Sequence, residues 1–177
     1  MAVLSGAVEA KDPYTAEHEN SVADLSVRVA AHLGVDPREQ QTIRYAALLH
    51  DFGKIAVPAE ILNKQGPLDD DEWAVMRRHT IVGAQLLARI PFFEAVHPLV
   101  RSAHEHWDGG GYPDGLAGTS IPLGARIILA CDALHAMTTD RPYRRRRPLS
   151  DALRELQRCS GSQFDPAIVD VLVAEQT

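Results

Sequence analysis

Cysteine is scarce in this chain, with only Cys131 and Cys159 among 177 residues and no close spacing between them. That excludes a disulfide scaffold, a zinc finger and a Cys-x-x-Cys redox site, and it predicts two reduced core thiols. Long apolar runs are absent as well. None approaches the roughly 18 residues that span a bilayer, and no signal-peptide pattern opens the sequence. The expectation is a soluble, cytoplasmic protein with no membrane partner. Positive charge is not in excess either. A formal net charge of −6 argues against coating a nucleic-acid polymer, yet leaves room for a small anion in a local basic pocket. Internal repeats, low-complexity tracts and an obvious linker are missing too, so residues 1–177 read as one domain. With 45% hydrophobic residues, there is ample material for a single core.

Alternation of polar and apolar residues is also lacking, so strands are not required. Helical periodicity takes its place. Val22, Leu25, Val29 and Leu33 recur at three- and four-residue spacing, with Gly34 as a stop. Asp36-Pro37 reads as an N-cap and first helical residue for a helix that carries Ile43, Ala47 and Leu48 and ends at His50-Asp51. Asp69 to Glu72 form the acidic start of one helix holding Trp73, Met76, Ile81 and Leu86. The next starts at Pro91 and carries Val96, Leu99, Val100 and His104, followed by a glycine-rich loop at 108–115. Pro122 opens a central helix that is apolar nearly all round. Two closing helices follow, with Pro148 and Pro166 in their first turns and Asp165 as an N-cap. The fold class expected is all-α.

Within these apolar stretches sit His18, the His50-Asp51 pair, His79, His104 and Asp132, spaced about 25 to 32 residues apart, or one helix and one connection each. Asp132 is the most telling, because it interrupts the most hydrophobic segment of the chain, where an unpaired carboxylate would be costly. Each histidine taken singly is more often a surface or hydrogen-bonded core residue. Taken as a set, they predict a metal centre. Imidazole and carboxylate donors together suit iron, manganese or zinc better than calcium.

The same residues resemble the HD-GYP family of the HD phosphohydrolase superfamily over about residues 11–171. The resemblance rests on Asp12-Pro-Tyr-Thr with His18, His50-Asp-Phe-Gly-Lys-Ile, Val57-Pro, Met76 to His79 and His104-Glu105. It continues through Asp108-Gly-Gly-Gly-Tyr-Pro, Ile121-Pro122, Asp132, Asp140-Arg-Pro-Tyr and Phe164-Asp-Pro. It implies an HD-domain helical bundle with two extra C-terminal helices. It also implies a metal-dependent phosphodiesterase that opens cyclic di-GMP, or a related cyclic dinucleotide, with a metal-activated hydroxide. By that resemblance His18, His50, Asp51 and Asp132 hold one metal, and Asp51 bridges to a second held by His79 and His104. Lys54 assists at a phosphate oxygen or the leaving group. Tyr112 lines the site, and Arg141 and Arg144 reach the distal phosphate or guanine. The implied cofactors are two divalent ions, iron or manganese first, with zinc or nickel also acceptable to this ligand set. The implied partners are the cyclic dinucleotide and a diguanylate-cyclase, sensor or receiver domain, the chain being either an output domain or a small free-standing protein.

The chain departs from the family pattern at several positions. Ala103 stands where the first of two adjacent histidines is usual, so one ligand of the second metal is missing. His106 is a poor substitute if the helix continues, since two residues turn it roughly 200° from His104. Tyr14 replaces a glutamate found in members with a third metal, and Glu17 and Glu19 read as exposed first-turn acids. His135 replaces a second aspartate, either as a hydrogen-bond partner of the site or as a plain core or groove residue. Ser21 and Thr80 replace an arginine and a proline. Residues 144–147 read as a solvated basic loop, Trp73 and Trp107 as packing or pocket-wall residues, and His32 and His97 as exposed. Gly109 to Gly111 are not a P-loop, since no Gly-Lys-Ser/Thr follows. Two other functions stay open: a regulatory module without efficient turnover, and an HD phosphohydrolase on another phosphorylated nucleotide.

Overall fold

Helix α1 (Thr15–His32) runs out at Gly34, whose φ of 74° is a conformation that costs glycine little. The Val35 amide then donates to the Ala30 carbonyl and the Gly34 amide to Ala31, closing the end of the helix. Two residues later the Asp36 carboxylate accepts from the Arg38 and Glu39 amides and starts α2 (Pro37–Leu49). This computed structural model describes residues 15–140 and 145–176, with side chains from Glu17 onward. Tyr14, Arg141, Tyr143 and Arg144 lie outside the described residues.

A 3₁₀ turn (Phe52–Ala56) follows the His-Asp pair, then the one-turn helix α3 (Ala59–Leu62), α4 (Asp70–Arg77) and α5 (His79–Leu87). A second 3₁₀ turn (Pro91–Phe93) leads into the short α6 (His97–Arg101). The long loop that follows ends in a third (Gly118–Ser120) before the central α7 (Leu123–Thr138), and α8 (Leu149–Arg158) and α9 (Pro166–Gln176) close the chain. No β-strand occurs among the described residues. The fold is therefore all-α, as the periodicity requires.

Helix α1 packs on α2 and α7, α5 packs on the first 3₁₀ turn and on α6, and α9 closes over α1, α7 and α8. The core is built from Val22, Ile43, Leu49, Ile127, Ile128, Leu156, Ile168 and Leu172, all within 2% of complete burial. Each such side chain contributes roughly 1.5–3 kcal/mol by leaving water. Helix α7 is buried on nearly every side, from Gly124 through Met137.

Two expectations about helix boundaries need correcting. The segment beginning at Asp70 is two helices rather than one, broken at Arg78. At the break, ring Nδ1 of His79 takes the Met76 carbonyl at 2.8 Å and the Thr80 hydroxyl takes the Arg77 carbonyl at 3.2 Å. Side chains thus satisfy carbonyls that a continuous helix would pair with amides. The helix expected to run from Pro91 to His104 is instead a 3₁₀ turn plus α6, which ends at Arg101. His104 therefore sits on irregular backbone, bridged to Tyr112. Two exposure readings also change. Glu19 is buried, at 2% exposure, rather than an exposed first-turn acid, and His97 is half-buried.

Candidate metal centre

Six donor residues arrive from separate elements. His18 comes from the first turns of α1, His50 caps α2, Asp51 precedes the 3₁₀ turn, His79 opens α5, His104 follows α6 and Asp132 projects from α7. They fall into two adjoining groups, His18/His50/Asp132 and Asp51/His79/His104. Within each group, one donor atom per residue lies within 4.8 Å of the others. Asp51 links the groups: one oxygen is 3.7 Å from Nε2 of His50 and the other 3.4 Å from Nε2 of His79. His18 Nε2 is 3.0 Å from Asp132.

Backbone carbonyls orient the rings. Nδ1–H of His50 donates to Ala47 at 2.7 Å, and that of His79 to Met76 at 2.8 Å. With the proton held on Nδ1, each Nε2 presents a lone pair to the centre. His18 uses a different partner, since its Nδ1 lies 2.7 Å from Nδ1 of His135. Nε2 of His135 is in turn 3.3 Å from the Thr139 hydroxyl. His135 thus stands directly behind His18 as a hydrogen-bond partner.

The close approach of Asp51 to His79 depends on glycine. A Cβ on Gly53 would overlap the His79 carbonyl, and Gly53 also lies against Gly83. The 3₁₀ turn and α5 therefore meet backbone to backbone.

The electrostatics are those of two carboxylates, Asp51 buried and Asp132 half-buried, set among imidazoles. Burial alone would raise the Asp51 carboxyl, but Lys54 and then His50, His79 and His104 hold it well below the ordinary value. Lys54 Nζ is 2.5 Å from the Asp51 oxygen that faces His50. Asp132 is likewise held down against burial, by the hydrogen bond from His18 and the charge of His50. Burial opposes a proton on His50, yet Asp51 and Asp132 leave its pKa raised. Burial dominates at His79, which is lowered despite Asp51, and at His104, where burial and His79 bring it to about 3.

Asp51 Oδ1, His79 Nε2 and His104 Nε2 are all shielded from solvent, and none has a hydrogen-bond partner. Three buried polar atoms without a hydrogen-bond partner are costly in a folded protein, and a divalent cation satisfies all three at once. The donor set fits such an ion on chemistry as well as geometry.

The glycine loop forms the outer wall. Tyr112 stacks on His104, with ring centroids 5.2 Å apart and 19° between planes, and meets His79 edge-on. The loop is tied down by Glu105, which is buried and accepts from the amides of Asp114 at 2.6 Å and Leu116 at 3.0 Å. Its other edge is held by the turn between α8 and α9, where Gln163 and Ser162 carbonyls accept from Trp107 and Asp108. In the sequence Glu105 stands out only as part of a motif, and a lone carboxylate just before a glycine-rich loop is its one signal. Ala103 is buried at 1% in the apolar core and supplies no donor. His106 lies beyond the end of α6, so helical spacing does not bear on it, and it joins neither donor group.

The HD domain family profile matches residues 2–168. A cyclic di-GMP phosphodiesterase of Thermotoga maritima is 35% identical over 175 residues, which are 98% of this chain and 48% of that protein. The cyclic di-GMP phosphodiesterase response regulator RpfG of Xanthomonas campestris is 39% identical over 175 residues, 98% of this chain and 46% of that protein. The chain thus spans about half the length of these curated relatives. Among solved structures, a cyclic GMP-AMP specific phosphodiesterase of V. cholerae superposes with a TM-score of 0.77 at 21% identity, covering 98% of this chain and 47% of the other. At that identity the likeness shows the fold alone. No helix among the described residues is long and apolar enough to cross a membrane.

Proposed function

The chain belongs to the HD domain family, and from that premise we propose that it is a metal-dependent phosphodiesterase acting on a cyclic dinucleotide, with cyclic di-GMP as the first substrate to test. The observation that carries this reading is the trio of buried, unpartnered polar atoms on Asp51, His79 and His104 beside a second donor group joined to it by Asp51. His18, His50 and Asp132 would hold one divalent ion and His79 and His104 the other, with Asp51 shared between them. Iron or manganese fits this mixed nitrogen and oxygen set, and zinc or nickel is also accommodated. Such ions, when bound, supply Lewis-acid stabilisation of charge on phosphate and lower the pKa of water. Names of relatives that act on cyclic di-GMP support the substrate class.

The protein's own groups do the rest. Lys54, half-buried beside Asp51, carries its ammonium to the edge of the centre, where it would hold a phosphate oxygen or the departing alkoxide. Tyr112, stacked on His104, would close one side of the pocket against water. Arg141 and Arg144 are proposed to reach the distal phosphate or the base. The output of such a domain would be controlled by a sensor, receiver or diguanylate-cyclase partner.

The test is hydrolysis of cyclic di-GMP by protein loaded with iron or manganese. Asp51→Asn should lose both metal and turnover, whereas Lys54→Ala should keep metal and lose turnover by 100-fold or more, roughly the contribution of one positioned group to the transition state. Full turnover in Asp51→Asn would contradict the reading. Ala103 favours a second reading, a regulatory module with little turnover, because that position supplies no donor. Turnover gained in Ala103→His and absent from the parent would decide for it.

A further inference from the structure

Four flat groups run outward from the metal centre. His104 stacks on Tyr112. The guanidinium carbon of Arg77 lies 5.5 Å from the centre of the Tyr112 ring and 5.8 Å from that of Trp73. Trp73 and Arg77 are four residues apart on α4 and so share a face of the helix. The ladder ends in solvent, because Trp73 is 43% exposed.

Arg77 differs from four of the other arginines, although Arg38, Arg78 and Arg89 likewise pair with no carboxylate among the described residues. Arg44, Arg101, Arg154 and Arg158 each pair with a carboxylate at 2.5–2.7 Å. Among the described residues no oxygen accepts a hydrogen bond from the Arg77 guanidinium, which lies over two rings. A guanidinium carries five N–H donors in a planar fork, and here the fork is steadied by two rings while its donors stay unspent. Beside it, the Trp73 indole is partly open to solvent.

A π-face next to a planar fork of donors is the chemistry that holds a nucleobase: the ring stacks the base and the fork takes two acceptors on one edge. Guanine presents such a pair in O6 and N7. Adenine replaces O6 with an amino donor, which would confront the fork N–H against N–H. We propose that Trp73 and Arg77 form a purine subsite at the mouth of the centre, with Arg77 selecting guanine over adenine. This rests on the cyclic dinucleotide reading, in which a base beside the cleaved phosphate extends outward across Tyr112.

Titration calorimetry of the metal-loaded chain with GMP, IMP and AMP tests the subsite, with metal content and cyclic di-GMP hydrolysis followed on the same preparations. IMP keeps O6 and N7 but lacks the guanine amino group. GMP and IMP should bind alike and roughly ten-fold more tightly than AMP, the discrimination of one bidentate pair. Arg77→Ala and Arg77→Lys should both erase the preference, the lysine keeping charge without the fork. Trp73→Ala should weaken all three ligands. Both side chains are exposed, so metal content should stay unchanged. Equal affinity of wild type for GMP and AMP, or a preference that survives in Arg77→Ala, would overturn the subsite. Hydrolysis separates the two ideas. Arg77-dependent selection in protein that leaves cyclic di-GMP intact supports the subsite and overturns the phosphodiesterase reading. Hydrolysis without Arg77-dependent selection does the reverse, and the absence of both overturns both.

Discussion

Asp51 Oδ1 and His79 Nε2 face each other across 3.4 Å, both buried, and neither makes a hydrogen bond. The Met76 carbonyl holds the ring proton on the far nitrogen, so two lone pairs point at one another. A cation between them turns that conflict into binding energy. Manganese or iron(II) should therefore raise the melting temperature, because an ion that binds only the folded state stabilises it by about 2.7 kcal/mol at 100 times its Kd. His79→Ala should lose this shift, read by thermal unfolding with and without metal.

Acid should destabilise the metal-free protein. His104 titrates near 3 in the fold, chiefly through burial and His79, against 6.5 in the unfolded chain. Between those values the unfolded state binds a proton that the native state refuses, so stability falls as pH drops from 6.5 toward 3. Each pH unit in that window costs about 1.4 kcal/mol per such group. His79, also lowered, acts in the same direction, and the depressed Asp51 and Asp132 add their loss below the ordinary carboxylate range. His50 is raised and opposes the trend only at the neutral end. Melting temperatures of chelator-treated protein from pH 8 to pH 5 should decline below 6.5; a flat or rising profile would refute this balance.

Glu105 holds the glycine loop by accepting from two amides, at Asp114 and Leu116. Glu105→Gln keeps the shape but turns one acceptor into a donor that faces an N–H. The cost should be about 1–3 kcal/mol of stability. The loop should also be cut faster under limited proteolysis, with cleavage mapped between Asp108 and Gly115.

His135 bears on one donor group only. For His18 Nε2 to serve a metal, the ring proton must sit on Nδ1, and His135 Nδ1 is the acceptor 2.7 Å away. Its own Nε2 then faces the Thr139 hydroxyl. His135→Ala should weaken one of two metal sites roughly 10–100-fold, the usual effect of losing a ligand's hydrogen-bond partner. Competition with a chelator should resolve that site from the other, which should keep its affinity.

Much of the fold was legible because its signals are local. Gly34, Asp36-Pro37, the acidic start at Asp69 and Asp165 act within one turn of where they stand in sequence. The donor residues were legible as polar side chains at intervals inside apolar segments, which pointed to one meeting place; their division into two groups was implied only by the family resemblance. What escaped depends on contacts between distant segments. The break at Arg78 is made by side chains of His79 and Thr80 bonding backwards, which periodicity does not register. His104 left its helix because the loop that carries Tyr112 pairs back with it. Arg77 carried no signal of its own in the sequence, because its place depends on Tyr112, brought from 35 residues along the chain.

Single-turnover hydrolysis of cyclic di-GMP by protein purified without oxygen, with bound metal counted on the same sample, tests the phosphodiesterase assignment most directly. Two metals per chain and release of the linear dinucleotide or GMP is the predicted result. One metal or none, with no product even in excess iron or manganese, would contradict it.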